Sequence, residues 1–204
     1  MTDQYTAAAA AAPSITQKLA DLKGLLSSQR TVLLVTHAPN GQLHSRVMAP
    51  AQISPDWKFY FIYDRDSYKN IEVQNDVHVN LSVDGMVTNK GWASIAGKAR
   101  RVLAFFQNVD PELFQKLYNP TIKAWFADKG DGVHDGSITD PRIAVLEVRV
   151  EEIRHYHQQR TAIGTVIDVV TSAIQGATAT PGEIREITGA EIAEVWEKGE
   201  LKEE

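Results

Sequence analysis

The sequence predicts an α+β protein built on a six-stranded antiparallel β-barrel, with short helices between the strands and a helix near each terminus. Short stretches rich in β-branched and aromatic residues recur along the chain, and several of them alternate apolar and polar residues. Turn signals such as Asn40-Gly41 separate these stretches. The order of the stretches shows neither a βαβ alternation nor an internal repeat, which argues against a parallel sheet.

The composition restricts the classes of protein to which this chain can belong. The chain has 204 residues, of which 43% are hydrophobic, and this is enough to form the core of one domain. A net charge of -5 without a long basic run argues against nucleic-acid binding, which needs clustered lysine and arginine. The absence of cysteine excludes disulfides, thiolate metal sites and a cysteine nucleophile.

Neither a membrane span nor a signal peptide is expected. No window approaches the roughly 20 apolar residues that a spanning helix needs. The N-terminal segment lacks a positively charged region, and its alanine run is too weakly apolar for a signal peptide. We therefore expect a cytoplasmic protein with three segments. These are a flexible arm at 1–13, the barrel domain at 14–176, and a linker with a C-terminal helix at 177–204.

The first two strands are predicted to form a hairpin. The β-branched run TVLLVTH is typical of a strand, and Asn40-Gly41 is a strong signal for a two-residue type I′ turn. That turn would place Val35 opposite Arg46 and Leu33 opposite Met48. Arg46 would then lie on an otherwise apolar face, where its guanidinium must find an anion or reach solvent.

The remaining elements follow from periodicity and capping signals. The predicted strands after the hairpin are Trp57–Tyr63, Val77–Val83, Gly91–Leu103, with a bulge at Gly97, and Arg142–Tyr156. The predicted helices begin at Ser14, at Asp66 or Ser67, at Pro111, at Pro120, at Ile163 and after the capping box Thr188–Glu191.

Three polar residues form the main candidate site. Arg46 offers a fork of donors that suits phosphate oxygens, and Lys69 adds a positive charge. Ser67 lies where a helix begins, and free backbone N–H groups favour an anion there. The three residues predict a phosphate site if the third strand carries residue 67 back to Arg46. The same residues are also consistent with a surface arginine, a helix cap and a solvated lysine.

Several short motifs, in their order and spacing, resemble those of a known family. The runs are SRVMA (Ser45–Ala49), FIYDRDSYKNI (Phe61–Ile71), VHVNLSV (Val77–Val83), WASIAGKARRV (Trp92–Val102) and KAWF (Lys123–Phe126). Together they are similar to the pyridoxamine 5′-phosphate oxidase-like split barrels, and in particular to the general stress protein 26-like branch. The resemblance extends over most of the chain.

The resemblance implies a homodimer of split barrels with FMN bound at the subunit interface. It implies that Arg46, Ser67 and Lys69 hold the FMN phosphate. The isoalloxazine ring would lie against residues of two strands and of the KAWF run in the other subunit. These residues are Val47, Met48, Ile62, Tyr63 and Trp125.

The activity stays open at this point. An FMN-dependent oxidoreductase acting on a small molecule, a non-catalytic flavin-binding stress or sensor protein, and a cofactor-free interaction protein are all compatible with the motifs. No side chain stands out as a general acid or base, so we predict no catalytic residue. Two histidine pairs and an aspartate-rich loop give incomplete ligand sets, so we expect no metal site.

Overall fold

The computed structural model of the protein describes residues 13–103, 111–159, 162–175 and 182–201. The predicted arm lies outside these residues except for Pro13, as does the linker at 176–181. In chain order the elements are α1 Ile15–Ser27, β1 Val32–His37, β2 Leu43–Met48, β3 Gln52–Ile53, β4 Lys58–Asp64, α2 Tyr68–Asn75, β5 His78–Gly85, β6 Gly91–Leu103, α3 Pro111–Leu117, α4 Pro120–Phe126, β7 Ile143–Gln158, α5 Ala162–Gln175, β8 Gly182–Thr188 and α6 Gly189–Glu197.

The described strands form one antiparallel sheet, so the predicted α+β class is confirmed. Seven strands follow the order β2-β1-β5-β6-β7-β4-β3, and β8 pairs with β7. The predicted six-stranded barrel is wrong in two respects. The structure contains eight strands in its described part, and β2 and β3 lie at the two ends of the strand order without pairing, so the sheet is not closed into a barrel.

The two strands that the prediction missed give weak sequence signals. β3 is two residues long, which is too short for an alternating pattern to be visible. β8 lies in the range 177–204, where the pattern indicates a linker and a helix. Its run GEIREIT contains three charged residues among seven, which dilutes the apolar alternation. All seven residues of β8 nevertheless pair with β7, and this pairing makes β8 part of the sheet.

The hairpin between β1 and β2 has a different register from the predicted one. The Gly41 N–H donates to the Ala38 carbonyl and the Ala38 N–H donates to the Gln42 carbonyl, so the loop has three residues rather than two. Gly41 has a φ of 82°, whereas Asn40 does not have a positive φ. This is the pattern of a turn followed by a bulge rather than a type I′ turn.

The extra loop residue shifts every pair by one position. Arg46 lies opposite Leu34 instead of Val35, and His44 lies opposite Thr36. Because directly opposed residues share a face, Arg46 projects to the side of the sheet that carries Leu34 and Thr36, both of which are buried. The predicted neighbours of Arg46 on β1 were therefore wrong. The prediction placed it on the face of Leu33, which is 43% exposed, instead of the face of the buried Leu34 and Thr36.

The core consists of two apolar clusters on the sheet. The larger one lies beneath α1 and α6, where leucines of α1 such as Leu22 meet sheet residues such as Phe61 and Ile153. The smaller one lies beneath α3 and α4 and contains Phe114 and Phe126. None of the helices in the described part of the chain is both long and apolar enough to cross a membrane.

Candidate functional site

A cavity of 450 Å³ lies between the ends of β2 and β4, the start of α2, and α4. Its volume is within the range of small-molecule sites, which is about 300–1,000 Å³. Its walls are mainly apolar and carry a few polar groups. The lining comprises Thr31, Val47, Met48, Ala49, Pro50, Ala51, Ile62, Tyr63, Asp64, Lys69, Asn119, Thr121, Ile122, Trp125 and Phe126.

Six of the eight residues predicted to bind a cofactor line this cavity. They are Val47, Met48, Ile62, Tyr63, Lys69 and Trp125. The other two, Arg46 and Ser67, are not in the lining. Arg46 contacts Thr36 and Glu72 behind the wall. Ser67 contacts the wall residues Asp64 and Lys69. The structure therefore places residues from four separate elements around one cavity, and it divides the predicted phosphate triad between the wall and the layer behind it.

Ser67 and Lys69 are in direct contact at the start of α2. The Lys69 ammonium donates to the Ser67 hydroxyl at 2.8 Å, and that hydroxyl donates to the Asp64 carbonyl. Ser67 occupies the N-cap position of α2, but its side chain makes no capping hydrogen bond there. Burial lowers the pKa of Lys69, and the positive charge of Arg46 lowers it further. An anion bound beside the Lys69 ammonium would offset both effects.

Arg46 is held by a polar cluster that the sequence reasoning missed. Its guanidinium donates to the Thr36 hydroxyl and to the Glu72 carboxylate. Glu72 is fully buried and also accepts hydrogen bonds from Thr36 at 2.6 Å and from His44 at 2.5 Å. Burial alone would raise the pKa of Glu72, but these hydrogen bonds and the charge of Arg46 lower it. Glu72 therefore stays ionised inside the protein.

A signal for Glu72 was present in the sequence. Glu72 follows Lys69 by three positions, so the two residues are neighbours on the surface of α2. An acid so close to the predicted cations is a natural partner for Arg46. The correct hairpin register would also have placed Thr36 beside Arg46.

Tyr63 forms part of the wall next to Lys69. Its hydroxyl donates to the Asn70 side-chain carbonyl at 2.8 Å, and the Lys69 ammonium lies 5.7 Å from the centre of its ring. Burial raises the pKa of Tyr63 to about 12. The phenol is therefore protonated at neutral pH, and its ring forms a fixed surface at the charged end of the cavity.

The opposite wall is provided by α4. Trp125 lines the cavity with 85% of its surface exposed, while Phe126 is buried. Arg142 holds the end of α4 in place by donating to the carbonyls of Phe126 and Ala127 at 2.8 and 2.9 Å. Trp125 and Phe126 line the cavity of their own chain. The contact of the KAWF run with a flavin in the other subunit stays a prediction.

A family model described as pyridoxamine 5′-phosphate oxidase like matches residues 17–180, which is most of the chain. The chain belongs to the pyridoxamine 5′-phosphate oxidase-like family. The matched range includes every residue of the cavity wall and of the Arg46 cluster. The predicted family is thus confirmed, and the match reaches the helix α5 that follows the long strand β7.

Relatives from several organisms share the sequence or the fold. Protein bli-3 of Neurospora crassa is 35% identical over 178 residues, which are 86% of this chain and 82% of that protein. A Clostridium acetobutylicum protein related to general stress protein 26 has a TM-score of 0.59 at 13% identity, covering 87% of this chain and 98% of that one. A pyridoxamine 5′-phosphate oxidase-related, FMN-binding protein of Nostoc punctiforme has a TM-score of 0.56 at 14% identity, covering 88% and 97%.

The kind of ligand that the cavity can bind follows from the uneven distribution of its polar and apolar side chains. Apolar side chains from β2, β4 and α4 form two facing walls, on which a flat ring can lie. Lys69 and, behind it, Arg46 form a cationic end beside the first turn of α2. Such a cavity suits a ligand with a flat apolar part and an anionic tail.

Proposed function

We propose that the protein binds FMN in this cavity and is an oxidoreductase acting on a small molecule. The observation that carries the proposal is the cavity itself, in which apolar walls end at Lys69 and at the start of α2. A ring with a phosphate-bearing chain matches both parts. The Nostoc punctiforme relative is named as an FMN-binding protein, which supports the same cofactor here.

The residues of the wall fit the two ends of FMN. Lys69 and the first backbone N–H groups of α2 would hold the phosphate, and Arg46 would donate a further hydrogen bond to it. Val47, Met48 and Ile62 would lie against the ring, with Trp125 on the opposite side. FMN, when bound, would supply hydride or single-electron transfer. The protein would anchor the phosphate, orient the ring and exclude water from one of its faces.

The first test is a titration of the purified protein with FMN, followed by flavin fluorescence. We expect saturable quenching with a dissociation constant of about a micromolar. Riboflavin should bind about tenfold or more weakly, because it lacks the phosphate that the cationic end would hold. Equal affinities for the two flavins would argue against the assigned phosphate position. Oxidation of NAD(P)H above the rate with free flavin would then distinguish an oxidoreductase from a flavin carrier.

We also propose that the protein is a homodimer whose interface includes the outer face of β1 and β2. Three apolar side chains are exposed on that face: Leu33 at 43%, Leu43 at 61% and Val47 at 64%. Val47 also lines the cavity, so a second copy packed there would help to enclose a bound flavin.

The homodimer proposal predicts a change in mass when this face is made polar. In sedimentation velocity, the wild-type chain of 22.6 kDa should move as a dimer. Val47→Arg should shift the protein towards the monomer because it places a charge in the apolar face. Val87→Arg is a matched control, since Val87 is 97% exposed and is not in the cavity wall. A wild-type monomer would contradict the proposal.

A further inference from the structure

The buried carboxylate of Glu72 has no role in holding an anion, although it lies next to the proposed phosphate position. It accepts hydrogen bonds from Arg46, Thr36 and His44, and none of its surface is exposed. In contrast, the side chain of Arg46 is 22% exposed. Arg46 and Glu72 therefore form a neutral pair in which the cation faces outward and the anion faces inward.

The pair is close to the cavity. Arg46 lies two residues before Met48 on the same face of β2, so the two are about 7 Å apart along the strand, and Met48 lines the cavity. Glu72 lies three residues after Lys69 on α2, and Lys69 also lines the cavity. An anion bound at the start of α2 would meet both the guanidinium and the field of the carboxylate behind it.

We propose that Glu72 competes with the ligand's phosphate for Arg46, and that it thereby weakens the binding of phosphorylated flavins relative to unphosphorylated ones. A guanidinium has five N–H donors, and those of Arg46 are already engaged in part by Thr36 and Glu72, so a phosphate must share Arg46 with these two residues. Its charge, however, is already compensated by Glu72. Glu72 thus determines the specificity for the tail of the ligand, and this inference rests on the proposed flavin function.

The test is the variant Glu72→Gln. Glutamine keeps the shape of the side chain and one acceptor for Arg46 and Thr36, but it removes the negative charge. We expect the dissociation constant of FMN to fall about tenfold, because the repulsion between the buried Glu72 carboxylate and a nearby phosphate is lost. The dissociation constant of riboflavin should stay within about twofold, since riboflavin carries no charge that Glu72 could repel.

Glu183→Gln is a matched control for this variant. Glu183 is also a buried acid paired with an arginine, since it accepts a hydrogen bond from Arg185 at 2.5 Å. Its substitution changes the net charge by the same amount, but Glu183 lies in β8 and outside the cavity wall. We expect this control to leave both flavin affinities unchanged.

The titrations of Glu72→Gln with the two flavins decide the proposal. Tighter FMN binding in Glu72→Gln with unchanged riboflavin binding supports it. Unchanged or weaker FMN binding overturns it, and so does an equal change for both flavins. If Glu72→Gln does not fold, as judged by its melting curve, Glu72→Met takes its place with the same expectation. If the wild type binds neither flavin, the flavin function fails. The competition of Glu72 is then tested with inorganic phosphate in place of a flavin. Phosphate should raise the melting temperature of Glu72→Gln more than that of the wild type.

Discussion

The double variant Arg46→Gln/Lys69→Gln is expected to bind FMN at least about a hundredfold more weakly than the wild type. It removes two charge-assisted hydrogen bonds to the phosphate, each of which contributes about 1.5–3 kcal/mol. Riboflavin should bind both proteins within about threefold of the same affinity, because the ring contacts are unchanged. Fluorescence titrations with both flavins measure the effect.

The structure also predicts how the two single variants differ. Lys69 lines the cavity, whereas Arg46 lies behind the wall and is engaged by Glu72. Lys69→Gln should therefore cause the larger loss of FMN affinity. Glutamine at position 46 can still donate a hydrogen bond to Glu72, so the buried carboxylate keeps a partner.

A charge-matched double variant separates this effect from a general loss of positive charge. Arg154→Gln/Lys98→Gln also removes two positive charges, and both side chains are about half exposed in surface ion pairs away from the cavity wall. Its FMN affinity should remain that of the wild type. If the two double variants lost FMN affinity equally, the assigned phosphate site would be wrong.

The hairpin of β1 and β2 shows which structural features local sequence signals can predict. The strands and the position of the turn follow from residue types alone. The neighbours of Arg46 do not, because a two-residue and a three-residue loop differ by one position in register. Pro39 occurs just before Asn40-Gly41, and both loop lengths can accommodate the Asn-Gly pair. The observed hydrogen bond from the Ala38 N–H to the Gln42 carbonyl decides between them.

The cavity was more predictable than the cluster behind it. Six of the predicted residues line it because the family motifs mark β2, the end of β4 and the KAWF helix. Glu72 lies three positions after Lys69, but it was missed because its partners come from the two strands β1 and β2, whose packing against α2 the sequence does not specify. Arg142 was missed for a similar reason. Its partners Phe126 and Ala127 are separated from it by a loop whose path the sequence does not specify.

Replacing Arg142 by methionine is expected to destabilise the protein by about 3–5 kcal/mol, which is the usual cost of breaking a buried ion pair. Arg142 is 4% exposed and donates to the carboxylate of Asp140, which is 1% exposed. It also satisfies two carbonyls at the end of α4, where Ala127 has a φ of 50°. Urea unfolding of the two proteins gives the difference in free energy.

Two further variants identify the source of this loss. Arg154→Met removes an arginine from an exposed pair with Glu186 and should cost about 1 kcal/mol or less. The double variant Asp140→Asn/Arg142→Met should recover part of the stability, because it leaves no buried unpaired carboxylate. If the double variant were less stable by the sum of the two single losses, the ion pair would not be the stabilising interaction.

The pH dependence of stability gives an independent check of the same pair. Burial opposes the charge on Asp140, but the hydrogen bonds from Arg142 and from the backbone lower its pKa to about 2. Since the pKa in the folded state lies below the usual value of 3.8, the carboxylate stabilises the fold above that value. This contribution is lost as the pH falls from about 4 to about 2. Asp140→Asn should therefore show a weaker loss of stability across that window. Arg142 holds the end of α4, which carries Trp125 and Phe126. Flavin should therefore bind less tightly to Asp140→Asn and to Arg142→Met than to the wild type.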